Sequence, residues 1–357
     1  MQDSGQNKSY RFLVLFEEMA PYFLECLRDL SCRYPVKILI IAKQVNPIAP
    51  FEFAEIPGVE MIFRESQDER TIINNILQFN PDATYVSGWM YPPYLSWIKL
   101  LSLKKVIIGF DTQWNGSIKQ RTGTCYFRLF RKKYYKYAFV PSRRQSVLAE
   151  KLGFSADKII QGLYCCDSKR YSEYYERYVR FRKEWPRSML FMGRMVPEKG
   201  IDVLQKAFIK WKQTHPQSGW KLIIAGKGPV KVEPHPDILY EGFVQPSQME
   251  ELIKKTGLFI LPSRFEPYGV VLHEMALSGI PIIASVFCGA SDDYVESGKN
   301  GYVLQNITDK ELIQVFEKVL HLPEETFIKM SQHSVKLGKK LLLEHWSEKI
   351  FKILCHG

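Results

Sequence analysis

Short unbroken apolar runs alternate along this chain with longer stretches whose apolar positions recur every three or four residues. In the first half the runs FLVLF (12–16), VKILIIA (36–42), VEMIF (59–63), ATYVSG (83–88), KVIIGF (105–110) and AFVPS (138–142) read as strands. Helical patterns lie between most of them. In SRRQSVLAEKLG (142–153), Ser142 and Gln145 have the spacing of a capping box and Gly153 supplies the stop. The second half repeats the rhythm. Strands are expected at 189–193, 220–226, 238–242, 258–263 and 281–285, with helices at 199–213, 247–257 and from about 269. In the first of these helices Ile201, Leu204, Phe208 and Trp211 fall on one face. Strands that alternate with helices predict parallel sheets covered by helices on both faces.

At 357 residues the chain exceeds one average core, so two domains are expected. The polar, tyrosine-rich segment 164–187 lacks a clean strand signal and reads as a linker region, in part helical. The expected division is a Rossmann-like domain over 1–163, the linker over 164–187, a second Rossmann-like domain over 188–335, and a C-terminal helix over 336–357 that crosses back to the first domain. Two doubly wound α/β domains joined in this way would face each other across a cleft at the carboxyl ends of their strands, where open α/β sheets bind ligands.

Composition narrows the class. No apolar run approaches about eighteen residues, the length of a membrane span. The N-terminus has no basic start followed by a long apolar stretch, so a cytoplasmic protein is expected. The seven cysteines form no C-x-x-C pair, and the sequence offers no obvious zinc ligand set. The net charge of +11 is uneven: between 101 and 150, eleven Lys and Arg face only Asp111 and Glu150. Such a patch suits an anionic partner.

The candidate chemistry lies in the second half. In FMGRMVPEKGID (191–202), Gly193 and Arg194 leave a strand and Lys199 stands at the mouth of the next helix. Two cations beside free amides and a positive helix end make a pyrophosphate site. AGKGP (225–229) lacks both the third glycine of G-x-G-x-x-G and the G-K-[S/T] of a P-loop, which argues against a dehydrogenase or a nucleoside triphosphatase. RFEPYGVVLHE (264–274) places Glu266 before a helix and Glu274 inside it. With a helix starting near Gly269, the amides of Gly269 and Val270 can receive a phosphate, Glu266 points at the group attached to it, and Glu274 can accept from both hydroxyls of a ribose.

In its order of motifs the chain resembles retaining glycosyltransferases of the GT-B type, close to glycosyltransferase family 4. The matching stretches are GRMVPEKG (193–200), AGKGP (225–229), YEGFV (240–244), RFEPYGVVLHEMALSGIPIIAS (264–285) and SGKNGYVL (297–304); the first half matches only in general architecture. The resemblance implies an acceptor-binding first domain and a second domain that binds a nucleotide-sugar. It implies that Arg194 and Lys199 neutralise the diphosphate, that Glu266 holds sugar hydroxyls, that Glu274 holds the ribose, and that the backbone near Phe243 reads the base. No D-x-D occurs, in keeping with a metal-independent site and no cofactor. Two departures stand out. The loop after the first strand, FEEMAPYFLE (16–25), has no glycine, and the first 214 residues contain no histidine. Asp111 stands where a first-domain histidine would approach the sugar, and Gln113, Trp114 and Lys119 are acceptor candidates on the same loop.

The segment 119–139 interleaves Lys and Arg with Phe, Tyr and Leu. It suits a membrane surface and a lipid-linked saccharide acceptor, as in surface polysaccharide or glycolipid assembly, with the inner face of the membrane as the location. An amphipathic helix packed on its own sheet fits the same pattern. Two other functions stay open on the sequence: a GT-B relative acting as a nucleotide-sugar epimerase or phosphorylase-like enzyme, and a basic nucleic-acid-binding protein. No helix-turn-helix, zinc or RNA-recognition signature accompanies the charge, so nucleic acid is not the expected partner.

Overall fold

The computed structural model describes residues 8–45, 50–89 and 91–356; the first seven residues, read above for a leader, lie outside them. The chain divides into two compact units, Met1–Cys165 with Leu343–Gly357, and Cys166–Leu342.

In the first unit seven parallel strands form one sheet: β1 (Tyr10–Glu18), β2 (Val36–Lys43), β3 (Val59–Phe63), β4 (Ala83–Ser87), β5 (Val106–Gly109), β6 (Tyr137–Val140) and β7 (Ile159–Gln161). Their order is β3-β2-β1-β4-β5-β6-β7. Leu13, Leu15, Ile41, Val86, Ile108 and Val140 form the centre of the core on one face, with Trp97 and Phe127 packed among them. The short β7 has no counterpart in the sequence reading, because three residues show no measurable period.

The second unit holds β8 (Ser188–Met192), β9 (Lys221–Ala225), β10 (Ile238–Gly242), β11 (Leu258–Leu261), β12 (Ile282–Ser285) and β13 (Gly301–Leu304), ordered β10-β9-β8-β11-β12-β13 and likewise parallel. The helix Ile201–Thr214 buries the expected face: Ile201, Leu204, Phe208 and Trp211 are inaccessible to solvent. β13 was not expected as a strand. It opens on Gly301, where a Cβ would lie 1.6 Å from the Ile282 carbonyl oxygen of its neighbour.

Both sheets follow the doubly wound order, growing outward in one direction from their first strand and then in the other. The reversal lies between β1 and β4 in the first unit and between β8 and β11 in the second. Loops leave opposite faces there, which opens a crevice at the carboxyl ends.

Three local expectations are corrected. Residues 166–187 are packed structure of the second unit, not a linker: helix Ser168–Tyr174 runs into a π-helical turn, Tyr175–Val179. Trp185 stacks on Phe327 (5.7 Å between centroids) and donates to the Gly257 carbonyl (2.8 Å). Aromatic side chains that looked solvated in one dimension are covered by residues distant in sequence. At helix Arg143–Lys151, Ser142 Oγ donates to Gln145 Oε1 (2.9 Å) and caps no amide, so the capping box does not form. The third correction concerns the 336–357 segment. Residues up to 342 belong to the second unit, and helix Leu343–His356 to the first.

That last helix is part of the first unit's core. Trp346 is fully buried, meets Phe23 edge-on (5.7 Å) and donates to the Leu163 carbonyl (2.9 Å). Phe351 stacks on Tyr34 at 4.0 Å, and Lys105 Nζ donates to the Leu354 carbonyl at 2.9 Å. Trp346→Ala is expected to cost about 3–5 kcal/mol in urea unfolding followed by a probe in the first unit; a loss below about 1 kcal/mol would mean that the helix is not part of that core.

Candidate functional site

In the second unit the site grows from the carboxyl ends of β8 and β11. After β8 the chain passes through Gly193 and Arg194 into one 3₁₀ turn, Pro197–Lys199, and then Gly200 opens the helix Ile201–Thr214. Gly200 is obligatory: its φ is +71°, and a Cβ there would lie 2.0 Å from the Pro262 carbonyl oxygen of the loop after β11. The two loops are thus in main-chain contact. Further bonds fix them together. The Glu198 carbonyl accepts from the amides of Arg264 (2.7 Å) and Phe265 (3.2 Å). Both Arg264 guanidinium ends reach the Asp202 carboxylate at 2.8 Å.

This stitching brings Lys199 onto Glu266. The ammonium donates to the carboxylate, and the two side chains are only 13% and 14% exposed. The sequence reading gave these residues separate ligand roles; the fold pairs them across the switch point. Arg194 is exposed and makes no ion pair among the described residues. The Glu266 backbone is held from the far side, its amide donating to the Phe287 carbonyl (3.2 Å) and its carbonyl accepting from Gly289 (3.0 Å).

Gly269 follows with φ +95°, and a Cβ on it would lie 2.8 Å from Cys288 Sγ and 3.0 Å from Glu266 Cγ. The helix starts two residues later than expected, at Val271, because Gly269 lies in the left-handed region. The amides of Gly269 and Val270 meet no protein acceptor among the described residues, so they are free to receive an anion.

Glu274 lies one turn into that helix, against Ser168–Tyr174. Burial raises its pKa to about 7, opposed by a hydrogen bond from Tyr171 and by the charge of Arg170, with Asp167 adding to the rise. Burial and the neighbouring Glu274 charge push the Tyr171 hydroxyl up as well. The adjacent His273 is structural. It stacks on Tyr294 at 4.7 Å, accepts from the Cys166 amide at Nδ1 (3.3 Å) and bonds the Gly338 carbonyl through Nε2 (3.0 Å), and burial lowers its pKa to about 4.

Phe243 follows Gly242 at the end of β10, where the Gly226 amide donates to the Gly242 carbonyl (2.6 Å). AGKGP is therefore a turn that ties β9 to β10. Gly193, Arg194, Lys199, Phe243, Glu266, Gly269, Val270 and Glu274 all lie at the carboxyl edge of this sheet or on the helix that leaves it.

The remaining predicted residues lie in the first unit. Asp111 follows β5 and accepts from the Tyr164 hydroxyl at 3.4 Å. Tyr164 in turn meets Tyr22 edge-on (5.3 Å). Gln120 folds the loop back on itself, donating to the Gln113 carbonyl (2.7 Å) and accepting from the Asn115 amide (2.7 Å). Trp114 packs on the core, and Lys119 is exposed. Trp114 also lines a groove of about 600 Å3 with Arg121, Thr124, Cys125, Arg128, Leu129 and Lys151.

Sequence reasoning missed several residues. Arg170, Tyr171 and Asp167 around Glu274 were lost because their segment read as a linker. Cys288 and the turn 287–290 that holds Glu266 carry only a small-residue signal. At the first unit's switch point the expected glycine loop is replaced by an ion pair. Glu17, at an irregularity in the β1–β2 register, takes both ends of Arg64 at 2.7 and 2.9 Å, and Arg64 lies 3.8 Å over the Tyr91 ring.

Residues 177–336 match the family model Glycosyl transferases group 1. An uncharacterised glycosyltransferase of Methanocaldococcus jannaschii is 32% identical over 107 residues, which are 27% of this chain and 26% of that protein. Glycogen synthase of Mycobacterium tuberculosis is 28% identical over 125 residues, 32% of this chain and 30% of that one. The chain thus spans about a quarter to a third of the length of these curated relatives. Among solved structures, HepE of Anabaena in complex with UDP and glucose is similar at TM-score 0.70 and 15% identity, covering 96% of this chain and 99% of that one. Sucrose-phosphate synthase of Thermosynechococcus elongatus is similar at TM-score 0.72 and 12% identity, covering 96% and 98%. The fold is that of the GT-B glycosyltransferases.

The raised Glu274 pKa has a definite sign in stability. Between about 4.5 and about 7 the folded carboxyl holds a proton that the unfolded chain releases, so its contribution is complete below that window and lost as pH rises through 7. Glu274→Gln is therefore expected to gain on the order of 3 kcal/mol over the wild type at pH 8 and almost nothing at pH 4.5, read by urea unfolding at both values; an equal difference at the two values would remove the titration from this carboxyl.

Proposed function

We infer that this chain, whose second unit carries a glycosyl transferases group 1 domain on a GT-B fold, transfers a sugar from a nucleoside diphosphate sugar to a saccharide or lipid-linked saccharide acceptor. The observation that carries the reading is the crevice between β8 and β11. There Arg194 and Lys199 follow β8, Glu266 and the amides of Gly269 and Val270, unbonded among the described residues, follow β11, and Glu274 lies one turn into the next helix.

In this reading the diphosphate meets the guanidinium, the ammonium and the amides, and its arrival divides the Lys199–Glu266 pair. Glu266, relieved of a full partner, accepts from sugar hydroxyls. Glu274 accepts from the ribose, and the two hydroxyl donors favour its ionised form. The backbone at Phe243 contacts the base. UDP, the nucleotide of the Anabaena structure, is the first to test. Asp111, Gln113, Trp114 and Lys119 contribute the acceptor side. The leaving phosphate serves as base for attack on the same face, so configuration is retained without a strong protein base. Fixed cations and amides neutralise the diphosphate without a metal ion. The product belongs to surface polysaccharide or glycolipid synthesis.

The test is a thermal-shift screen with UDP-, GDP- and ADP-sugars, followed by transfer assays in excess EDTA. One nucleotide at about 100 times its Kd is expected to add roughly 2.7 kcal/mol to stability. Glu274→Ala weakens that binding, and Glu266→Ala chiefly lowers kcat. No response to any nucleotide, or a strict need for Mg2+ or Mn2+, counts against the site as described.

The acceptor end of the reading draws on the basic window. Helix Ile118–Tyr126 and the π turn Phe127–Arg131 bury Phe127 against Trp89 and Tyr135, as a packed helix would. The same segment leaves Ile118, Tyr126, Leu129 and Phe130 at 51–81% exposure, flanked by Lys119, Arg121, Arg128 and Lys133. Apolar side chains ringed by cations fit an anionic lipid surface. No helix of the described residues is long and apolar enough to cross a membrane. Sedimentation with anionic vesicles is expected for the wild type and lost in the double variant Leu129→Glu, Phe130→Glu. Equal retention by DNA and no loss in that variant would make the patch a polyanion binder.

A further inference from the structure

A second cluster stands apart from the crevice, where two helices of the second unit end side by side. His215 caps the C-terminus of Ile201–Thr214, Glu317 lies in the last turn of helix Asp309–Val319, and His321 follows that helix. Their ligand atoms all lie within 4.8 Å of one another, with His215 Nε2 at 3.6 Å and His321 Nε2 at 3.4 Å from Glu317 Oε2. Two ligands about 2.0–2.1 Å from a tetrahedral ion stand about 3.3 Å apart, so the observed spacings are close to those of a coordinated set.

The rings are already oriented. His215 Nδ1 contacts the Trp211 carbonyl oxygen (3.2 Å) and Thr214 Oγ1 (2.9 Å). A carbonyl can only accept, and the Thr214 hydroxyl itself donates to the same carbonyl (2.9 Å). Nδ1 therefore carries the proton, and the Nε2 lone pair faces Glu317. This backbone-anchored tautomer is the arrangement that supports metal-ligating histidines. His215 also stacks on the fully buried Trp211 (4.9 Å, 13°), and His321 follows Leu320, whose carbonyl is fixed by Trp220 Nε1 at 3.0 Å. Both helices present their negative dipole ends here, which favours a cation. The side chains are 29%, 43% and 53% exposed, so an ion can enter and water can complete its shell.

We propose that His215, Glu317 and His321 form a binding site for a divalent transition-metal ion of the zinc class, with two imidazoles, one carboxylate and solvent as ligands. The ion adds a bond between the ends of two helices that otherwise meet here through ring contacts of His321 with His215 (5.3 Å) and Trp211 (6.2 Å). It lies at the far end of the fourteen-residue helix that begins beside Lys199, about 21 Å along its axis, so it takes no part in the transfer step. The proposal does not depend on the sugar-transfer reading.

The test uses the full chain stripped of metal and titrated with Zn2+ against a chromophoric chelator, with Co2+ as a spectroscopic probe. The wild type is expected to bind one tight equivalent, to give the visible bands of four-coordinate Co2+, and to melt at a higher temperature with metal. His321→Ala and Glu317→Gln, both exposed positions, are expected to lose about tenfold or more in affinity and the melting response, with unchanged circular dichroism. Zinc binding of wild-type strength in both variants, or no tight equivalent in the wild type, overturns the site.

Discussion

The carboxyl edge of the second unit is organised by the main-chain contact between Gly200 and the Pro262 carbonyl and by the Lys199–Glu266 ion pair that it brings together. A parallel sheet sends every strand end to one edge, and reversal of strand order between β8 and β11 separates the two loops that leave that edge. Gly200 against the Pro262 carbonyl and the amides on the Glu198 carbonyl draw the loops back together. Only then do an ammonium 67 positions distant in sequence and a carboxylate meet, largely out of solvent. Breaking such a pair from one side leaves a buried charge and costs about 3–5 kcal/mol.

The same construction explains why Glu274 behaves differently from Glu266. Both are acids near the start of one short helix, but Glu266 has a cation opposite it and Glu274 has a tyrosine and a tightly packed helix. Burial dominates at Glu274, and its proton is held to about pH 7. Two carboxylates eight positions apart thus meet different walls, an ammonium at Glu266 and a buried tyrosine at Glu274.

The first unit solves the corresponding problem with different chemistry. Where a glycine-rich loop would let a ligand approach the backbone, Glu17 and Arg64 fill the switch point between β1 and β4 with a bidentate pair under Tyr91. Helix Leu343–His356 completes this unit's core with Trp346 and Phe351, although more than 170 residues of the other unit precede it.

The sequence by itself determined most of the strands, because buried parallel strands are continuous apolar runs: FLVLF and LFILPS hold the buried strands β1 and β11. It also put Arg194, Lys199, Glu266, Gly269 and Glu274 at the carboxyl edge of the second sheet or on the helix that leaves it, since they occupy fixed offsets from strand ends. Tertiary structure alone decided what those side chains touch. The Lys199–Glu266 pair, the Tyr171 partner of Glu274, the packed character of 166–187 and the His215–Glu317–His321 cluster each join positions far apart along the chain. A one-dimensional pattern records the local period of a chain. It carries no record of which loop is brought back against which, because that depends on strand order and on close backbone approaches that appear only once the sheets have formed.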